Sequence, residues 1–274
     1  MGIVVRSSLE ANTANKNLAR TSRALTRNFE KISSGLRIAR SADDAAGLGV
    51  AEGLKALHRS ADVAARNIND GLSVISVADG ATSEVGSILT RLRELAIQSA
   101  SETLEDSERA YIGDEAIQLV SEIDRIANVT EFNGIALTDA VVTLDVQVGV
   151  QSSTDNQITI TTGDLTSATG LTLGALDLDD SANALLGIDL IDAAIATVSG
   201  YRSGYGAVEN RLGNALNNIE TFSEANKAAE SRIRDADFGI ETAALSQNQI
   251  LQQAGVSILS QAKNLNQSAL SLLQ

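Results

Sequence analysis

Five separate stretches of this chain place apolar residues on seven-residue grids, and no proline interrupts any of them. Proline fixes φ and removes a backbone donor, so its absence from 274 residues leaves helices free to run long. A strict seven-residue row keeps one stripe of a helix facing a partner over many turns. In the first stretch Val4, Ala11, Leu18, Leu25 and Ile32 form one row, with Phe29 and Leu36 on the companion row. The second holds Val74, Ala78, Ala81, Val85, Ile88, Leu92 and Leu95, and the third Ile112, Ala116, Leu119, Ile123 and Ile126. The fourth runs Ile188, Ile191, Ile195, Val198, Tyr205, Leu212, Leu216 and Ile219, broken at Arg202 and Glu209. As one helix, residues 185–232 would be about 70 Å long, which is a rod. The last stretch carries Ile240, Ala244, Leu251, Ala254, Ile258, Leu265, Ala269 and Leu272. Stripes this narrow at both ends predict that the ends pair with each other or with other copies.

One region breaks the pattern. Leu144, Val146, Val148 and Val150 alternate with polar residues or Gly149, and Ser152–Asn156 separates them from Ile158-Thr159-Ile160. Period two on both sides of a polar turn predicts a β-hairpin. Residues 161–184, rich in Thr, Gly, Leu and Asp, are expected to form an irregular surface segment. The fold class is therefore mainly α: long coiled-coil-like helices forming a rod, with a small β-hairpin region in the middle of the chain.

Charge follows the same division. Residues 1–60 hold ten Lys/Arg against five Asp/Glu, whereas 127–201 hold no base, nine Asp and Glu131. A net charge of −14 argues against a nucleic-acid partner, which requires a basic footprint. No run of about 18 apolar residues occurs, so no membrane insertion is expected. The N-terminus, with Arg6, Ser7, Ser8 and Glu10, has no apolar signal-peptide core. Arg6 also departs from the myristoylation motif.

Catalytic chemistry finds no foothold. Without Cys, and with His58 as its only histidine, the chain has no thiolate nucleophile, Cys-ligated metal or His-based triad. His58 reads as a helix-surface residue. The glycines at 47, 49 and 53 lack the dinucleotide spacing and a preceding strand, and read as a bend between helices. Asp177-Leu-Asp179-Asp180 opens like a calcium loop, but Ala182 stands where the turn needs Gly. Asp43-Asp44 before Ala45-Ala46 reads as helix initiation, and Asp106 or Ser107 as the N-cap of the next helix. Neither catalytic residue, cofactor nor metal is expected.

The wording of these segments carries a resemblance. Ser33-Ser-Gly-Leu-Arg-Ile38 followed by Ser41-Ala-Asp-Asp-Ala-Ala-Gly-Leu48 resembles the N-terminal signature of bacterial flagellins. The likeness continues through Ala65–Gly71, Leu92–Ala100, Glu122–Ile126 and Glu131–Gly134. Ser231–Asp237, Glu241-Thr242, Gln249–Gly255 and Leu270–Leu273 resemble the C-terminal signature.

This likeness implies three parts. Residues 1–42 with 233–274 would form a terminal coiled coil in the inner filament layer. Residues 43–138 with 185–232 would form a helical rod in a second layer, and 139–184 an acidic, outward-facing hairpin and irregular segment. It implies a structural subunit that self-assembles into the helical flagellar filament for swimming. Packing between copies would use Leu18, Leu25, Ile32, Leu251, Ala254, Ile258 and Leu265. The implied partners are further copies, sister flagellins, the flagellar export apparatus, an export chaperone, and the hook-junction and cap proteins. The implied location is extracellular, in the filament, after export through the flagellar channel without a cleavable signal peptide. Arg91–Ala96 resembles the surface that an animal innate immune receptor reads, which would make Arg91, Leu95 and Glu115 contacts.

The short middle predicts a thin, smooth filament. Arg6, Glu10 and Asn12 depart from the family pattern near the start and bear on the innermost packing. Two alternatives remain within the same machinery: a hook-filament junction protein and a minor or specialised flagellin. A coiled-coil interaction module or membrane-surface helix is the alternative of another class, raised by Arg20, Arg23, Arg27 and Lys31 beside Leu18 and Leu25.

Overall fold

The computed structural model describes the backbone of residues 9–271 and the side chains of residues 12–261. Five helices carry most of it: α1 (Leu9–Ser34), α2 (Ala45–Ser99), α3 (Asp106–Val129), α4 (Ser181–Arg234) and α5 (Phe238–Ser271). Strands β1 (Glu131–Phe132) and β2 (Ile135–Ala136) form one hairpin, and β3 (Thr143–Gln147) and β4 (Gln157–Thr161) another. The expected mainly α class with small sheet elements is what the chain adopts. Residues 1–57 with 224–274 form one compact unit and 58–223 a second.

In the second unit, α2 buries one row without a miss. Ala61, Ala64, Ile68, Gly71, Ile75, Ala78, Thr82, Val85, Leu89, Leu92, Ala96 and Ser99 follow alternating steps of three and four. The row expected from apolar residues shares only Ala78, Val85 and Leu92 with it; Val74 and Leu95 are buried beside it, Ala81 and Ile88 half-buried. The displacement arises because Gly71, Thr82 and Ser99 occupy core positions without being apolar. Thr82 satisfies its hydroxyl on the Ala78 carbonyl at 2.6 Å, so burial leaves no orphaned donor. Gly71 is required by close approach: a Cβ there would lie 3.1 Å from Val146 and 3.5 Å from Ile160 and Leu212. The β3–β4 hairpin thus rests directly on the α2 backbone.

α4 answers with Ile191, Val198, Tyr205, Leu212 and Ile219, buried at seven-residue intervals as its grid predicts. Two clusters result. One joins Leu89, Leu92, Ile112, Ile123 and Ile191; the other joins Ile68, Ile75, Ile158, Ile160, Tyr205 and Leu212. α4 contains an 18-residue window of mean hydropathy 1.4, apolar enough by length and composition to cross a membrane. In this unit its Ala184, Ile191, Ala194 and Val198 instead pack with α2 and α3 residues.

The hairpin pairs Thr143 with Thr161 through Gln147 with Gln157, antiparallel; of the alternation read from sequence it holds Leu144, Val146, Ile158 and Ile160, while Val148 and Val150 lie beyond the ladder. β1–β2 was not anticipated. Asn133 (φ 52°) and Gly134 (φ 77°) form its two-residue turn, the left-handed pair that an Asn-Gly step favours.

Residues 161–184 correct the surface expectation. They are largely irregular, but Leu165, Leu171, Leu173 and Leu178 are buried in the first cluster. Their polar neighbours hold the strap in place: Asp124 accepts the Ser167 N–H at 2.7 Å and its hydroxyl at 2.8 Å. The acidic side chains of this region, apart from half-buried Asp164, point outward. Two local readings also change. α2 runs unbroken through Gly47, Gly49 and Gly53, so these glycines do not separate two helices. The α3 N-cap is Glu105, not Asp106 or Ser107; its N–H donates to the Glu108 carboxylate at 3.1 Å. Asp44 does initiate α2, accepting the Gly47 N–H at 2.9 Å. His58 is half-buried on α2.

Candidate assembly surfaces

α1 and α5 lie antiparallel in the first unit. Lys31 Nζ meets Glu241 Oε1 at 3.1 Å. A Cβ on Gly255 would come within 3.3 Å of Leu18 Cδ1. Beyond the helix ends, Leu36 bridges Asp235, and the Ala236 N–H donates to the Gly35 carbonyl at 2.9 Å. The inward row of α1 is Ala14, Leu18, Thr21, Leu25, Asn28 and Ile32, all half-buried. That of α5 is Glu241, Leu245, Asn248, Gln252, Gly255 and Leu259, again in steps of four and three.

The seven packing residues expected from sequence therefore divide. Leu18, Leu25 and Ile32 face the α1–α5 seam. Leu251, Ala254 and Ile258 do not: Leu251 is 49% and Ile258 57% exposed, and Ile240, Ile250 and Val256 are exposed on the same helix. The side chain of Leu265 lies outside the described residues, as do those of Arg6 and Glu10; Asn12 is exposed. Sequence reading merged two faces of α5 because its seam contains Asn248, Gln252 and Gly255, which an apolar count passes over.

The connection between α1 and α2 is fastened to the end of α4. The Arg37 N–H donates to the Arg234 carbonyl at 2.7 Å, and its guanidinium to the Ile233 carbonyl. Arg234 in turn reaches Glu52 at 2.9 Å and Glu230 at 3.7 Å. Asp43 accepts the Arg40 N–H at 3.0 Å, and Asp237 caps α5 by accepting from Gly239 at 2.8 Å.

Of the three receptor-contact candidates, the structure brings Arg91 and Glu115 together on the surface and buries Leu95. Arg91 is exposed and bonds Glu115 at 2.8 Å and Glu94 at 3.1 Å. Bonding to Glu115, and secondarily to Glu94, raises the Arg91 guanidinium above its usual range. Leu95 is 2% exposed and packs in the first hydrophobic cluster. Nearby Arg93 donates to Asp192 at 2.6 Å, which holds that carboxyl below the usual range.

Among the described residues no group of three or more His, Asp and Glu is arranged to hold a metal ion. What the surfaces offer is association: an apolar, uncharged outer face on α5, and charged faces elsewhere.

Comparison with known proteins gives these surfaces a context. Residues 5–143 match the bacterial flagellin N-terminal helical region, and residues 188–273 the bacterial flagellin C-terminal helical region. A flagellin of Halalkalibacterium halodurans is 42% identical over 99% of this chain and 100% of that protein. A flagellin of Bacillus subtilis is 38% identical over 96% of this chain and 97% of its own length. The crystal structure of Bacillus cereus flagellin, 32% identical, aligns with 56% of this chain and 88% of that one at a TM-score of 0.49.

Proposed function

The chain belongs to the bacterial flagellin family, and from that membership together with the exposed α5 face we propose how it serves as a filament subunit. It is a structural component of the bacterial flagellar filament, where copies assemble into an extracellular helical polymer that supports swimming.

The observation that carries the assembly reading is the row Leu251, Ala254 and Ile258, left open while the opposite face of α5 meets α1. Burying an apolar side chain of this size contributes roughly 1.5–3 kcal/mol, and the row repeats along the helix. A patch on one copy that meets a different patch on the next gives a contact that does not close on itself, so growth is helical and open-ended.

On this reading residues 1–42 and 233–274 form the inner layer, 43–138 with 185–232 the second, and 139–184 the outer acidic surface. Leu18, Leu25 and Ile32 shape the inner helix pair, and Leu251, Ala254, Ile258 and Leu265 make the contacts between copies. Export proceeds through the flagellar channel without a cleavable signal, with an export chaperone before it and junction and cap proteins at the filament ends. Sister flagellins share the same lattice. An animal receptor that reads this chain would do so through Arg91 and Glu115. No enzymatic role is assigned.

Negative-stain electron microscopy of the purified protein, with and without filament seeds, tests this. Long, narrow helical filaments are expected. Monomers that never grow, even on seeds, would overturn it and favour a junction protein.

A further inference from the structure

The two units differ in charge. Residues 58–223 contain 25 Asp/Glu and 8 Lys/Arg, whereas residues 1–57 with 224–274 contain 10 and 13. The excess cations concentrate on one line. Lys16, Arg20, Arg23 and Arg27 lie on α1 in steps of four, three and four, all exposed. None has a hydrogen-bond or ion-pair partner among the described residues. The line spans about 16 Å and points away from the α5 seam.

In the second unit a groove of 830 Å³ runs between α2 and α4. Asp79, Glu84 and Glu209 line it, and its one cation, Arg202, is already bonded to Asp79 at 3.0 Å. Glu84 and Glu209 are exposed and unpartnered among the described residues. Its walls also hold Gly80 and Gly206. A glycine inside a helix costs about 1 kcal/mol against alanine. Nothing within the subunit requires either one, because a Cβ at each would meet no atom within 4 Å. The space they leave opens onto a carboxylate-lined trough.

We infer that this groove receives the basic stripe of α1 from a second copy, with Arg20, Arg23 and Arg27 lying along Glu84 and Glu209. The inference rests on the filament reading for its supply of neighbouring copies. Guanidinium groups suit the task, since each presents a planar fork to a carboxylate. Arg202 and Glu209, which break the apolar grid of α4, then acquire a reason: they belong to a face that another subunit covers.

Two variants in the full-length chain test it, R20E/R23E/R27E and E84K/E209K, with polymer measured by sedimentation. Each alone should raise the critical concentration at least tenfold. An equal mixture should assemble as the unaltered protein does, since each variant's stripe then finds the other's groove. Gly206→Leu should leave the melting temperature unlowered and block assembly by filling the trough. Unchanged assembly of either charge variant would overturn the inference. So would a mixture that fails while a single chain carrying all five substitutions succeeds, because the contact would then lie within one chain. If the unaltered protein forms no polymer, the filament reading fails separately. Low-salt sedimentation of the mixture still decides the pairing: a joint complex supports it, two separate species refute it.

Discussion

Arg109 is 6% exposed and donates to three carbonyls, those of Ser99 and Ser101 at 2.9 Å and of Leu104 at 2.8 Å. A helix ends with unsatisfied carbonyls that carry partial negative charge, and a guanidinium fork answers both needs at the end of α2. Arg109→Met keeps the bulk and removes the donors. The expected loss is about 2–4 kcal/mol, read from thermal or denaturant unfolding. Tyr205 is a second buried polar anchor. Its Oη accepts the Gly163 N–H at 3.0 Å, and burial pushes its phenol above the ordinary value. The raised group contributes stability fully below the unfolded value near 10, and that contribution is lost as pH rises through the folded value. Tyr205→Phe should therefore cost about 1 kcal/mol at neutral pH. It should also flatten the fall in stability above pH ~10; an unchanged alkaline limb would show that Tyr205 is not its source. The α4 grid made the burial of Tyr205 legible, but neither its bond to Gly163 nor the role of Arg109 was, because both depend on backbone groups that only folding brings to the side chain.

Long helices and the hairpin were readable because their periods are visible in the order of apolar residues along the chain. α4 matched its grid since Ile191, Val198, Leu212 and Ile219 are apolar where the seam needs them. α2 was read one column aside because its seam uses Gly71, Thr82 and Ser99, chosen for size and closeness rather than hydrophobicity. The strap at 161–184 escaped altogether. Its leucines are buried without any period, so only the packed structure shows where they go. The β1–β2 turn was missed although Asn133-Gly134 is a strong local signal. On α5 the two faces separate clearly enough to be tested apart. Leu251→Asp or Ile258→Asp alters an exposed residue and should change subunit stability by less than about 0.5 kcal/mol, while abolishing polymer growth. Calorimetry and sedimentation on the same samples check both halves. Filaments from either variant would remove the outer α5 face from the assembly contact.

At the scale of the whole molecule, charge governs how finished polymers meet one another. The chain carries −14 at pH 7 and has an isoelectric point near 4.5. Like-charged surfaces keep filaments apart, and that repulsion vanishes as carboxylates protonate. Filaments should stay dispersed at neutral pH and bundle as pH approaches 4.5, a change that light scattering and microscopy detect. Dispersed filaments at that pH would mean that something other than net charge separates them.

The β3–β4 hairpin fixes where length can be added. Its ladder closes at Gln147 and Gln157, and residues 151–155 beyond it are exposed. A connection of this kind lengthens cheaply, by about 0.6 kcal/mol for each doubling of the loop. Foreign sequence spliced between Ser152 and Ser153 would leave both hydrophobic clusters and every helix as they stand. The tip is thus a display port: a repeating lattice of these subunits could present an enzyme, an epitope or a binding peptide once per copy, with the scaffold unaltered beneath it.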